Sequence, residues 1–199
     1  MKYPMGTGSI IEVSILAGGK SSRMGQDKGM LQMGSQPMIQ YLLDTFQCFD
    51  MPLHIIANHP NYRSLVYPVY EDLCIEKGPM GGLYTALLKS RSSLVLLISC
   101  DSPFISKTSI DRLLSNIEDE KIIVSVVQDI INPLFAIYPV SLVQKVWLNI
   151  QENKLKMTDF ILESAHLKVG MDDIHKKDPF EFYNINSPSD VILCKSKWK

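Results

Sequence analysis

The stretch Leu16-Ala17-Gly18-Gly19-Lys20-Ser21-Ser22-Arg23-Met24-Gly25-Gln26-Asp27-Lys28 follows directly on the apolar run Ile10 to Leu16. A chain that leaves a strand through two glycines can turn sharply and offer bare backbone N–H groups to an anion, which is phosphate-binding geometry. Two common phosphate motifs do not fit. Walker A requires glycine where Ser14 stands ahead of Gly19-Lys20-Ser21, and no G-x-G-x-x-G occurs. What remains is a longer loop with glycine again at Gly25 and Gly29 and the cations Lys20, Arg23 and Lys28. A well-placed cation about 4 Å from a phosphate is worth on the order of 4 kcal/mol at an effective dielectric of about 20. The planar fork of Arg23 suits two phosphate oxygens, and Lys28 acts as a point charge.

Outward from this loop, short apolar and β-branched runs alternate with helical stretches. Ile10 to Leu16, Leu53 to Ala57, Leu94 to Cys100, Ile122 to Val127 and Leu134 to Tyr138 read as strands, with a shorter strand-like stretch from Val66 to Tyr70. The unbroken apolarity of Leu94 to Ile98 predicts a central strand covered on both faces. Helices are expected over Pro37 to Phe46, from about Met80 to Lys89, from a Ser106 cap to about Asn116, and from Pro139 through Val143, Val146 and Trp147. This alternation predicts an α/β fold, a single doubly wound, mostly parallel sheet with helices on both faces. Ligands then bind outside the carboxyl ends of the strands.

The chain has 199 residues, 46% hydrophobic and 21% charged, and is expected to form one domain over 1–199, with 1–9 and 195–199 as flexible ends. A net charge of -1 offers no global attraction to nucleic acid or an acidic membrane, so an anion must be held by local geometry. Cys48, Cys74, Cys100 and Cys194 form neither a C-x-x-C pair nor a zinc pattern, and reduced thiols in the cytoplasm are expected. Glu12 interrupts the N-terminal apolar run and no cleavage pattern follows it, against a signal peptide. His54, His59, His166 and His175 make no ligand cluster in sequence.

Leu16 through Lys28 resembles the signature of the molybdenum cofactor guanylyltransferases, Leu-Ala-Gly-Gly-x-x-x-Arg-Met-Gly-x-Asp-Lys, at every specified position. The resemblance implies a Rossmann-like nucleotidyltransferase fold. It also implies transfer of GMP from GTP to the phosphate of molybdenum-molybdopterin, forming molybdopterin guanine dinucleotide and releasing pyrophosphate. Sugar, cytidylyl and isoprenoid-precursor nucleotidyltransferases share a looser form of the loop, and nothing in the spacing itself reads guanine. Under the resemblance Leu16, Ala17, Gly18 and Gly19 line the nucleotide, while Arg23 and Lys28 neutralise the leaving pyrophosphate.

Cys100-Asp101-Ser102-Pro103 ends the most apolar strand, so Asp101 is expected beside the cleft. As a residue type in that context it is either a turn former or a magnesium ligand, since magnesium needs only one or two protein carboxylates beside a triphosphate. The family's Cys-Asp-x-Pro segment implies the second role, with Mg2+ as cofactor. The same resemblance assigns Asn58 and Asp72 to nucleotide contact, although both residue types also cap helices. Gly78-Pro79-Met80-Gly81-Gly82 is similar to a family segment that lines the cleft. Alternation over Phe182 to Pro188 predicts a strand with Asn184 and Asn186 on one face. This segment resembles the family's Asn-x-Asn-Thr-Pro, with Ser187 for threonine, which implies contact with the pterin acceptor. Asn186 also reads as a helix cap before Pro188. Asn132-Pro133 stands where the family often has histidine-proline.

A cytidylyl- or sugar nucleotidyltransferase is the nearest alternative. A non-catalytic nucleotide-binding regulator is the other, against which the presence of both Lys28 and Asp101 argues. Expected partners are GTP and the molybdopterin cofactor, with transient contact to proteins that deliver or accept the cofactor, and neither nucleic acid nor membrane.

Overall fold

The computed structural model describes residues 10–17 and 27–198. Gly18, Gly19 and Arg23 lie outside the described residues, as does the rest of the loop between Ala17 and Asp27. A seven-stranded sheet runs in the order β5 (Val69–Tyr70), β4 (Leu53–Ile56), β1 (Ile11–Leu16), β6 (Leu94–Ser99), β8 (Ile130–Pro139), β7 (Ile122–Val127) and β9 (His166–Gly170). Apart from it, β2 (Gln32–Met33) and β3 (Gln36–Pro37) form a small hairpin. The mostly parallel sheet expected from sequence is present: β5, β4, β1 and β6 are mutually parallel, and so are β7 and β9. Only β8 runs antiparallel to both of its neighbours.

Every residue of β6 is buried, which requires cover on both faces. One face carries Val13, Ile15, Ile55, Leu96 and Ile98 in a core shared with α1 (Met38–Phe46) and α3 (Lys107–Leu114). The other carries Leu16, Ile56, Val95 and Leu97 against α2 (Gly78–Lys89), α4 (Val143–Gln151) and α5 (Met157–Leu162). The alternation of β-strand side chains thus feeds two separate cores from one sheet. The chain closes with α6 (Asp172–Lys177) and α7 (Pro188–Leu193). Among the described residues, no helix is long and apolar enough to cross a membrane.

Three expectations change. Pro139 ends β8 instead of opening a helix, and a 3-10 turn over Val140–Leu142 leads into α4. Phe182 to Ser187 is not a strand; Ser187 caps α7 with Asp190 in a capping box, so the cap is one residue beyond Asn186. The basic end, expected to be free, forms a 3-10 turn over Cys194–Lys197, where Cys194 is buried and Lys197 pairs with Asp178. Lys199 and residues 1–9 lie outside the described residues.

Two buried polar groups tie these layers together. Glu181 accepts from the Ser106 N–H at 2.7 Å and the Ser109 hydroxyl at 2.6 Å, fixing the C-terminal segment to the first turn of α3. On the α2 face, His54 lies between Ser14 Oγ at 2.5 Å and Glu12 Oε1 at 2.9 Å. An ionised Glu12 can only accept, so His54 Nδ1 carries the proton and a neutral ring accepts from Ser14 through Nε2. Glu12 also accepts from the Ser90 hydroxyl and the Arg91 N–H, which holds the end of α2 to β1.

Burial lowers the His54 pKa below its ordinary 6.5, against the raising effect of Glu12. Glu12 is itself held below 4.5: burial opposes this and is outweighed by its hydrogen bonds from His54, Ser90 and Arg91. A lowered folded-state pKa gives stability that is present above the unfolded value and lost on acidification. Stability is therefore expected to begin falling as pH drops below 6.5, measured by urea midpoints across pH. His54→Leu should lower stability overall and flatten that first slope; an unchanged slope would rule out His54 as its source. Glu181→Ala strands two donors and should cost about 2 kcal/mol, whereas a loss under about 0.5 kcal/mol would contradict the tie.

Candidate nucleotide site at the carboxyl ends of β1 and β6

Parallel pairing of β1 with β6, Ile11 opposite Leu94 through Leu16 opposite Ser99, brings both carboxyl ends to the same edge. The Cys100 N–H donates to the Leu16 carbonyl and the Ala17 N–H to the Ile56 carbonyl, so the first residues beyond the strands are still held. Cys100 and Asp101 then enter a turn closed by the Ser102 N–H on the Ser99 carbonyl. Asp101 does not serve that turn with its side chain. Oδ2 accepts from Lys28 Nζ at 2.9 Å, and Oδ1 is buried without a partner among the described residues.

Lys28 arrives from the other side. The Leu31 N–H donates to the Lys28 carbonyl. The first amides of α1, Met38 and Ile39, donate to the carbonyls of Leu31 and Gly29, so two otherwise orphaned helix N–H groups anchor this turn. The ammonium donates to Asp101 and, at 2.7 Å, to Asn186 Oδ1. Side-chain exposures of 21% and 18% leave the Lys28–Asp101 pair accessible to a ligand.

The C-terminal segment reaches this point through its backbone. The Ile185 N–H donates to the Asp101 carbonyl at 2.8 Å, and the buried Ile185 side chain anchors the exposed asparagines beside it. Asn184 Oδ1 accepts from Ser102 Oγ at 2.7 Å. The backbone N–H groups of Asn186 and Ser187 both donate to Asp190. The expected asparagines thus border the cleft, though from an irregular segment instead of a strand face.

Asn58 and Asp72 are brought together beyond β4 and β5: Asn58 Oδ1 accepts from the Asp72 N–H at 2.8 Å. Asp72 Oδ1 accepts from the Cys74 N–H and the Thr85 hydroxyl, which builds the turn into α2. Gly82 packs on the Leu16 side chain, and a Cβ there would press on it at 3.0 Å. Asn132 lies in the irregular part of β8, where its Oδ1 accepts from the Leu134 N–H and the pairing with β7 slips past Pro133.

A cation fits this site. The donor is a half-buried carboxylate with one oxygen unpaired among the described residues, which suits a hard cation that completes its shell with phosphate oxygens and water. Among the described residues there is no cluster of three or more His, Cys, Asp or Glu that would cage a metal alone. Two residues given no site role from sequence border the site. Tyr62 and Asp27 are hydrogen-bonded to each other beside Lys28. Asp27 was visible as the neighbour of Lys28 in the motif, while Tyr62, 35 positions away, carried no signal.

The family model of the MobA-like NTP transferase domain matches residues 13–165. A Flavobacterium johnsoniae protein named "Probable molybdenum cofactor guanylyltransferase" is 32% identical over 178 residues, 89% of this chain and 92% of that protein. The "Molybdenum cofactor guanylyltransferase" of Haemophilus influenzae is 27% identical over 91% of this chain and 95% of its own. The crystal structure of molybdopterin-guanine dinucleotide biosynthesis protein A from Archaeoglobus fulgidus has the same fold, with a TM-score of 0.75 at 18% identity, covering 94% of this chain and 97% of that one.

Proposed function

We propose that this chain, which belongs to the MobA-like NTP transferase family and to its molybdenum cofactor guanylyltransferases, transfers GMP from GTP to the phosphate of molybdenum-molybdopterin, forming molybdopterin guanine dinucleotide and releasing pyrophosphate. The observation that carries the reading is the convergence on Lys28 of Asp101 and Asn186, two residues distant in sequence, at the carboxyl edge of β1 and β6. The names of the relatives favour guanine over the cytosine and sugar alternatives.

The acceptor phosphate is already ionised, so the reaction needs no general base and rests on positioning and charge stabilisation. In this reading Gly18 and Gly19 offer backbone N–H groups to the triphosphate, with Leu16 and Ala17 leading into that turn. Arg23 and Lys28 balance the charge that develops on the leaving pyrophosphate. Asn58, just beyond β4, and Asp72, in the turn before α2, contact the nucleotide. Asn184 and Asn186 orient the acceptor. Asp101 would hold Mg2+, which supplies charge neutralisation across the reacting phosphates. A cytoplasmic setting, and transient contact with proteins that deliver or accept the cofactor, belong to the same reading.

Thermal shift with GTP, CTP, ATP and UTP, each with magnesium, tests the base. GTP at about 100 times its dissociation constant should add about 2.7 kcal/mol, and preferential stabilisation by CTP would overturn the guanylyl assignment. Asp101→Asn should lower magnesium-dependent pyrophosphate release on the order of 100-fold and abolish the gain in GTP-dependent thermal stability on adding magnesium. Retention of that gain would remove Asp101 as the metal's ligand. Lys28→Ala should lower kcat by a similar factor, on the order of 100-fold, and near-normal turnover would refute its role.

A further inference from the structure

We infer that Tyr62 is a positioning residue for Lys28, its phenol clamping the two residues on either side of that lysine. The inference rests on the proposed role of Lys28. Tyr62 lies in the 3-10 turn Pro60–Ser64 that follows β4, and its side chain is fully buried. Its hydroxyl donates to Asp27 Oδ1 and lies against Gly29, in the place a side chain there would occupy. The same oxygen thus engages one neighbour of Lys28 by a hydrogen bond and the other by close contact. The fit is close: a Cβ on Gly29 would run into the Tyr62 hydroxyl and lie 3.3 Å from Cys100 Sγ. Burial, the nearby Cys100 and Asp27 all push the Tyr62 pKa up, which keeps the donor protonated.

The consequence is directional. With Asp27 and Gly29 fixed, and the Gly29 carbonyl taken by the Ile39 N–H, the Lys28 Cα has little freedom, and its side chain is aimed at Asp101 and Asn186. Asp27 therefore acts through its neighbour. A lysine on a freer turn would spend more of its time away from the reacting phosphates, and small misplacements of a catalytic group carry large rate penalties.

Tyr62→Phe keeps the ring in its pocket and removes only the hydroxyl. In the full-length enzyme, turnover of GTP with molybdopterin should fall on the order of tenfold in kcat, with KM for GTP changed by less than about twofold. In a Lys28→Ala background the same substitution should cost nothing further, because the residue it positions is gone. Multiplicative losses, or a lowered thermal midpoint with turnover per folded molecule unchanged, would overturn the proposal. Asp27→Asn, which keeps a carbonyl acceptor for the phenol, should lose less than Asp27→Ala; equal losses count against the clamp. A crystal structure of Tyr62→Phe gives a readout independent of turnover. Lys28 Nζ displaced from Asp101 and Asn186 supports the clamp, and an unmoved Nζ refutes it. If Lys28→Ala alone left turnover intact, the failure would lie in the role proposed for Lys28, and the crystal structure would still decide the clamp.

Discussion

The parallel pairing of β1 with β6 is the constraint on which the rest depends. Six consecutive residue pairs hold the two strands in register, and both strands are almost wholly buried. Burial on both sides forces two helical layers, which is why α1 and α3 cover one face while α2 and α4 cover the other. Parallel strands also end at the same edge, so the loop that leaves Leu16 and the turn that carries Asp101 emerge side by side although more than eighty positions separate them. An offset of a single residue would turn the side chains of one strand toward the opposite core, and in β1 it would carry Glu12 and Ser14 away from His54 and Ser90, their partners on the α2 face.

The reversed strand β8 completes this edge. Running antiparallel to β6, it begins at the carboxyl edge and ends at the other, so its first residues, with Asn132 and Pro133, lie on the same side as Asp101. Proline cannot donate to a ladder, and the pairing with β7 slips where Pro133 stands. The Tyr138 hydroxyl donates to the Pro133 carbonyl and so satisfies one acceptor that the interrupted ladder leaves over. The same proline limits what can be read from sequence, which places the start of the strand at Leu134 although it begins at Ile130.

Other differences between expectation and structure have similar physical origins. The central strands were legible because unbroken apolar, β-branched runs have few other destinations in a chain of this size. β9 was not, since His166 to Gly170 is a partly exposed edge strand with little apolar signal. Phe182 to Ser187 alternates as a strand does, but its amides go to other acceptors: Ile185 to the Asp101 carbonyl, Asn186 and Ser187 to Asp190. Periodicity reports which side chains are buried and is silent on where the backbone bonds go. For the site, Asp101, Lys28 and Asn186 were legible as motif residues, and the structure joins them. The partnership of Asn58 with Asp72 was not legible, because a hydrogen bond from an asparagine oxygen to a distant backbone amide leaves no spacing rule.

The way Lys28 is held shows how a loop can give a charged side chain a fixed direction. A lysine carries four rotatable bonds and a strongly hydrated charge, so a fixed direction must come from its backbone. Here the carbonyls of Gly29 and Leu31 are taken by the first amides of α1, and α1 is fixed by Met38, Ile39 and Leu42 in the core. The polar groups of the turn thus satisfy a helix end that would otherwise be unpaired. Helix and turn are stabilised by the same bonds, so the position of the ammonium inherits the rigidity of the hydrophobic core.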